Sequence, residues 1–122
     1  MDILIIKSYW ADKIFDENKL WEIRGCNTSK RGKIAIAKSG TGCVFGTVNL
    51  INSIPLTKKL WETNEKNHQV DISWEELLKR YKKPYAWIFE DAEKYQVPIP
   101  YAHPKGAVIW VKDNLMTEGR RI

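Results

Sequence analysis

Six consecutive residues, Lys19-Leu20-Trp21-Glu22-Ile23-Arg24, bring an ammonium, a carboxylate, a guanidinium and an indole together in one short stretch. In extended form, side-chain alternation places Glu22 and Arg24 on one face and Trp21 and Ile23 on the other. A strand with a purely structural role would more often carry apolar residues on both faces. Polar groups at this spacing can hold an anion or the polar edge of a base. A lysine among them becomes a base for water once burial or a neighbouring cation lowers its pKa. The plainer alternative is an exposed face on which Glu22 and Arg24 form an ion pair.

The rest of the chain favours a polyanionic partner. With 20 Lys and Arg against 15 Asp and Glu, the net charge is +5, a balance that attracts polyanions without specifying them. The cations cluster at Lys30, Arg31 and Lys33, at Lys58 and Lys59, at Lys79 to Lys83, and at Arg120 and Arg121. Six tryptophans and five tyrosines are interleaved with them. Such rings either fill a small core or stack unpaired bases, which suits single-stranded nucleic acid better than duplex.

Other motifs are weaker. Ser39-Gly40-Thr41-Gly42 lacks the Lys-Ser/Thr pair of a phosphate-binding loop, because Cys43-Val44 follows it. Phe45 also stands where a dinucleotide fingerprint needs its third glycine. The segment reads as a turn whose Ser39 and Thr41 offer backbone amides to a ligand if it borders a cavity. His68 lies close to Asp71, a possible acid and base at a pocket rim, while His103 is remote from both. Neither histidine has Cys or acidic partners at ligand spacing, so no metal is expected. Cys26 and Cys43 have no metal-ligand pattern either and read as small core or strand residues of a reduced protein.

The elements that must position these residues are short and strand-rich. Residues 2–7 predict a first strand, too short for a signal-peptide core and with no basic region before it. The chain is therefore expected in the cytoplasm, and no apolar run approaches the roughly 18 residues of a membrane span. Trp10, Ile14 and Phe15 predict a helix over residues 8–18 with Ser8 as its cap. Strands follow at 19–24, 33–38 and 43–54, and a short helix at 57–65. Ser73-Trp74-Glu75-Glu76 is a capping box opening a helix to about Tyr81. Strands at 85–90 and 107–112 flank a proline-rich stretch, 97–104, that excludes helix. A chain of 122 residues fits one domain. We expect it over 1–112, with 113–122 a frayed tail. The pattern predicts an α+β fold, a small barrel with helices packed outside.

At Lys19, Glu22 and Arg24 the chain resembles the ASCH family, whose hallmark is G-x-K-x-x-E-x-R. Glu17 stands in place of the leading glycine. The resemblance extends through Arg31 to Ala37, Ser39 to Gly42, Pro84 to Trp87, Pro98 to Tyr101 and Gly106 to Trp110. It implies a PUA-like fold, a small and mostly antiparallel β-barrel with flanking helices and a cleft. Members of that superfamily typically bind RNA or read modified bases. Some ASCH members resemble amidohydrolases that deacylate 4-acetylcytidine, and others have been described as ribonucleases.

Three functions follow from the resemblance and the residues together. In the first, the cleft binds RNA or a modified pyrimidine nucleoside. Glu22 then accepts from an exocyclic amine, Trp21 or Trp87 stacks the base, and Arg24 with the basic clusters holds phosphate. In the second, the chain is a hydrolase. For an amidohydrolase the resemblance makes Lys19 the base, with a threonine standing in the known deacetylases where this chain has Glu22. Asp71 is the nearest candidate for the family's further carboxylate. For a ribonuclease, Lys19 and Arg24 stabilise the phosphorane and Glu22 or His68 moves the proton. In the third, the chain is a regulatory domain that binds protein. No cofactor is expected in any of them.

Overall fold

The strand that carries Glu22 and Arg24 is β2 (Trp21–Arg24), and it pairs antiparallel with the beginning of β5 (Tyr85–Pro100). The register sets Glu22 opposite Trp87 and Arg24 opposite Tyr85, while Trp21 and Ile23 oppose Ile88 and Ala86. Directly opposed residues share a face, so the polar pair looks to the same side of the sheet as Trp87. The computed structural model describes residues 1–106 and 109–112.

The remaining elements are β1 (Asp2–Ile6), α1 (Ser8–Asp16), β3 (Gly32–Lys38), β4 (Cys43–Pro55), α2 (Lys58–Thr63), α3 (Glu65–His68), α4 (Trp74–Arg80) and β6 (Trp110–Lys112). The strands form one six-stranded sheet in the order β2-β5-β4-β3-β1-β6. Among the described residues β1 and β3 run parallel and the other pairs are antiparallel. The fold is thus α+β and mostly antiparallel, as expected. The sheet is not closed, however: β2 and β6 stand at its two ends. No helix of the described residues is long and apolar enough to cross a membrane.

Both faces of the sheet are covered. Leu4, Ile6, Ile34, Ile36, Val48, Leu50, Trp87 and Phe89 pack with Ala11 and Ile14 of α1. Trp21, Ile23 and Ala86 pack instead with Leu56, Trp61 of α2 and Leu77 of α4. Burial of these two faces fixes the register of β2, since a slip of one residue would send Glu22 and Arg24 into the apolar side.

Several local expectations need correction. The short helix expected at 57–65 is α2, and a separate one-turn helix, α3, follows it after Asn64, whose amide donates to the Leu60 carbonyl. Ser8 is not the cap of α1: Lys7 holds that position, with no side-chain cap hydrogen bond. The strand at 85–90 runs on to Pro100 despite its prolines. This is tolerated because β2 covers only Tyr85 to Ile88, leaving that edge of the later residues without a strand partner among the described residues. Of the strand expected at 107–112, the structure gives Trp110–Lys112; residues 107–108 and the expected tail at 113–122 lie outside the described residues. Cys26 is exposed in a loop rather than in a core or strand, and Cys43 is half-buried at the start of β4.

Candidate functional site

The chain reaches β2 through a tight reversal. After α1 ends, Asn18 adopts φ 60, a left-handed conformation that asparagine tolerates better than most residues. Glu17, at the family's glycine position, has φ −127 and donates its N–H to the Lys13 carbonyl. Lys19 N–H then also donates to Lys13, and Leu20 N–H donates to Asn67, which docks this segment on α3.

The result is a cavity of about 290 Å³ whose walls include Lys19, Glu22 and Arg24. That volume sits at the small end of ligand pockets, about 300–1,000 Å³. Lys19 is 1% exposed and Glu22 5% exposed, so both charges are buried at the cavity wall rather than on the surface. Lys19 Nζ donates to the His68 carbonyl and lies 4.6 Å from the centre of the Trp10 ring. Burial lowers its pKa to about 8; Glu22 opposes that shift and Lys13 adds slightly to it. Burial pushes the Glu22 carboxyl above its ordinary range, against the pull of Arg24 and Lys19.

Arg24 is the anchor of the pair. Its Nε donates to Glu22 Oε2 at 3.1 Å and its Nη2 to the Ile5 carbonyl at 3.1 Å, while the guanidinium sits 5.5 Å from the Trp87 ring centre. The arginine thus ties β2 to β1 and aims the carboxylate. Buried carboxyl and ammonium groups with shifted pKa values on one cavity wall are the usual composition of a site that binds or moves protons.

The other residues singled out from the sequence divide. Ser39, in the turn after β3, lines the cavity. Thr41 does not; it is exposed, and its hydroxyl donates to the Lys38 carbonyl. Trp21 is packed against Trp61 and Leu77 on the opposite face of β2, as alternation requires. Trp87 is 1% exposed, donates Nε1–H to the Cys26 carbonyl and stacks on Trp110 at 5.7 Å. These two indoles are core residues with no face at the cavity. Asp71 is exposed and outside the cavity wall, although its neighbours Val70 and Ile72 line it.

His68 is also a core residue. It is fully buried, its ring stacked on Trp61 at 3.7 Å. Val70 N–H donates to Nδ1, so the ring proton lies on Nε2, which donates to the Trp61 carbonyl. Burial lowers its pKa, which keeps it neutral. Both ring nitrogens are occupied, and its contribution to the site is the carbonyl that receives Lys19.

Three polar or aromatic wall residues were not singled out from the sequence, Lys7, Trp10 of α1 and Tyr81 after α4, and Arg80 at the end of α4 entered only through its basic cluster. Trp10 reads as part of an apolar helix face, and Arg80 as one member of a basic run. Their convergence depends on α4, whose start is fixed by the Ser73 hydroxyl accepting from Glu76 N–H at 3.1 Å. Lys19 also borders a second cavity of about 250 Å³ on the side of Phe89 and Asp91. Among the described residues no group of three or more His, Cys, Asp or Glu is placed to hold a metal ion.

No protein-family model matches this chain, and no curated protein matches it. Solved structures do. A serine-to-alanine mutant of the ASCH protein from Zymomonas mobilis superposes with a TM-score of 0.68 at 16% identity, covering 91% of this chain and 87% of that one. The unmutated protein gives 0.64 at 17% identity over 81% and 72% of the two chains. A tyrosine-to-phenylalanine mutant of it gives 0.64 at 18% identity over 81% and 74%. At this identity the likeness concerns the backbone, and by its backbone the chain has the ASCH-domain fold.

Proposed function

We propose that this chain binds a modified pyrimidine nucleoside, free or within RNA, in the cavity walled by Lys19, Glu22 and Arg24. The observation that carries the reading is the burial of Lys19 and Glu22 on one wall of a cavity near 290 Å³. Burying two charges is costly and does not by itself stabilise a fold. A polar cavity wall that repays the cost through ligand contacts is the simpler account. Glu22 offers an acceptor for the amine edge of a base, and Trp10 and Tyr81 give aromatic walls. A deep polar pocket also suits a nucleoside better than a protein surface, which would more naturally meet a shallow apolar patch.

A second reading, hydrolysis of a 4-acyl amide on cytidine, is favoured by the lowered pKa of Lys19. With a pKa of about 8, roughly a tenth of the lysine is neutral at pH 7. The neutral amine takes a proton from water as the water oxygen bonds to the acyl carbon. The same ammonium then returns the proton to the departing exocyclic nitrogen as the carbon–nitrogen bond breaks, leaving cytidine and the carboxylic acid. Arg24, on the same cavity wall, is the cation assigned to the oxyanion. Glu22 is the only carboxylate on the wall among the described residues, so no second acid is assigned to Asp71.

The test is calorimetric titration of 4-acetylcytidine, cytidine and a short single-stranded RNA, with chromatography of each mixture. Wild type is compared with Lys19→Met and Glu22→Gln, each verified as folded by circular dichroism. We expect binding that weakens at least tenfold in both variants. Release of cytidine that rises with pH up to about 8 and vanishes in Lys19→Met would establish the hydrolase. Equal binding by wild type and both folded variants would refute the site.

A further inference from the structure

Four cationic residues line the cavity (Lys7, Lys19, Arg24 and Arg80) against one carboxylate, Glu22. Glu22 is already engaged by Arg24 at 3.1 Å, so the excess positive charge is not answered within the wall. Lys7 and Arg80 are exposed, and neither side chain has a hydrogen-bond or ion-pair partner among the described residues. Some cations elsewhere find partners, as Lys30 does with Asp2, Lys38 with Asp12 and Lys94 with Asp16. Other exposed lysines such as Lys82 and Lys83 have none among the described residues; what sets Lys7 and Arg80 apart is their place on the cavity wall. On α4 the adjacent Lys79 pairs with Glu76 at 3.1 Å while Arg80 lines the cavity. The site therefore runs from a buried polar wall, Lys19 and Glu22, to an exposed cationic rim, Lys7 and Arg80.

We propose that the ligand is a nucleotide rather than a nucleoside, its phosphate held at the rim by Lys7 and Arg80 while its base enters the cavity. The inference rests on the nucleoside reading above for the identity of the base, but the anion subsite is tested separately. Two cations with free donors meeting the unbridged oxygens of a phosphate, dianionic in a monophosphate and monoanionic in a phosphodiester, supply charge-assisted hydrogen bonds, the strongest class available at a partly exposed rim. A phosphate joined to the sugar lies outside the space that the base fills. This matches the order of the groups from wall to rim. The phosphate comes either from a mononucleotide or from the phosphodiester of an RNA chain, and the chemistry at the rim is the same.

The experiment titrates inorganic phosphate, 4-acetylcytidine, its 5′-monophosphate and a dinucleotide containing 4-acetylcytidine into wild type, Lys7→Ala, Arg80→Ala and Lys82→Ala. The mutated side chains are exposed, so the variants are expected to fold. Lys82, a basic neighbour outside the cavity wall, reports ordinary surface charge. We expect the monophosphate or the dinucleotide to bind at least tenfold more tightly than the nucleoside. That advantage should be lost in Lys7→Ala and Arg80→Ala and kept in Lys82→Ala. Preference for the dinucleotide over the monophosphate would identify RNA as the source, and the reverse a free nucleotide. A nucleoside that binds as well as its phosphate, or an advantage that survives both rim variants, would overturn the inference and leave the nucleoside reading standing. Inorganic phosphate bound through Lys7 and Arg80 with no binding of any nucleoside would uphold the anion subsite and defeat the nucleoside reading. Silence with all four probes would defeat both.

Discussion

The titration of Lys19 should be visible in the stability of the fold itself. An unfolded lysine keeps its proton to a pH near 10.5, whereas the buried Lys19 releases it at about 8. Between those values the unfolded chain binds more protons than the native one, so stability rises with pH. The cost of holding the ammonium in the cavity wall is full below pH 8 and is relieved as pH climbs toward 10.5. The gap corresponds to roughly 3 kcal/mol, of which about 2–3 kcal/mol is recovered between pH 7 and pH 10. Lys19 is 1% exposed, so solvent screening does not reduce that figure substantially. The measurement is urea unfolding followed by tryptophan fluorescence at pH 7, 8, 9 and 10, for wild type and Lys19→Met. Methionine keeps the unbranched stem and removes the titrating group. Groups that do not sense Lys19 cancel in the difference, including Tyr101, whose hydroxyl burial pushes upward and which therefore acts with the opposite sign. Glu22, whose carboxyl Lys19 pulls downward, does sense it and is removed by repeating the comparison in a Glu22→Gln background. The wild-type free energy should gain on the variant by the stated amount across this range. Two curves that stay parallel would show that Lys19 titrates normally, and the argument from its burial would fail.

Three further outcomes are expected. In Gly46→Ala the new Cβ would lie 2.2 Å from the Glu93 carbonyl oxygen and 2.7 Å from the Phe15 ring; urea unfolding should show a loss of about 2–4 kcal/mol, or the protein should fail to fold. In Ser73→Ala the cap of α4 is lost, and the same assay should show about 1 kcal/mol. In Gly25→Ala the Cβ would lie 2.7 Å from the Tyr81 ring; because that ring lines the cavity, calorimetry should show ligand affinity falling several-fold, alongside a stability loss of about 1–3 kcal/mol.

How much of this protein was legible without its structure differs from residue to residue. The alternation in Trp21 to Arg24 placed the polar pair and the apolar pair on opposite faces, because strand periodicity is local geometry. The Ser73 cap was equally legible, since it needs only the next three residues. The length of β5 was not: prolines argue against pairing unless one edge of the strand is free, and that depends on where β2 stops. The break between α2 and α3 was hidden for a similar reason, as the Asn64 side chain competes with the helix for its carbonyls.

The sequence by itself determined the residue types, the strand-rich pattern, the positive balance and the run from Lys19 to Arg24. Only the tertiary structure decided which of them meet. Aromatic and histidine side chains serve a core and a ligand equally well, and composition does not separate the two uses. Packing sent Trp21, Trp87 and His68 inside and left Asp71 on the surface. It brought Trp10, Arg80 and Tyr81, from two helices far apart in the chain, to the cavity where Lys19 and Glu22 are buried. Burial then set the proton affinity of those two groups, because the cost of a charge depends on the water that the whole fold excludes around it.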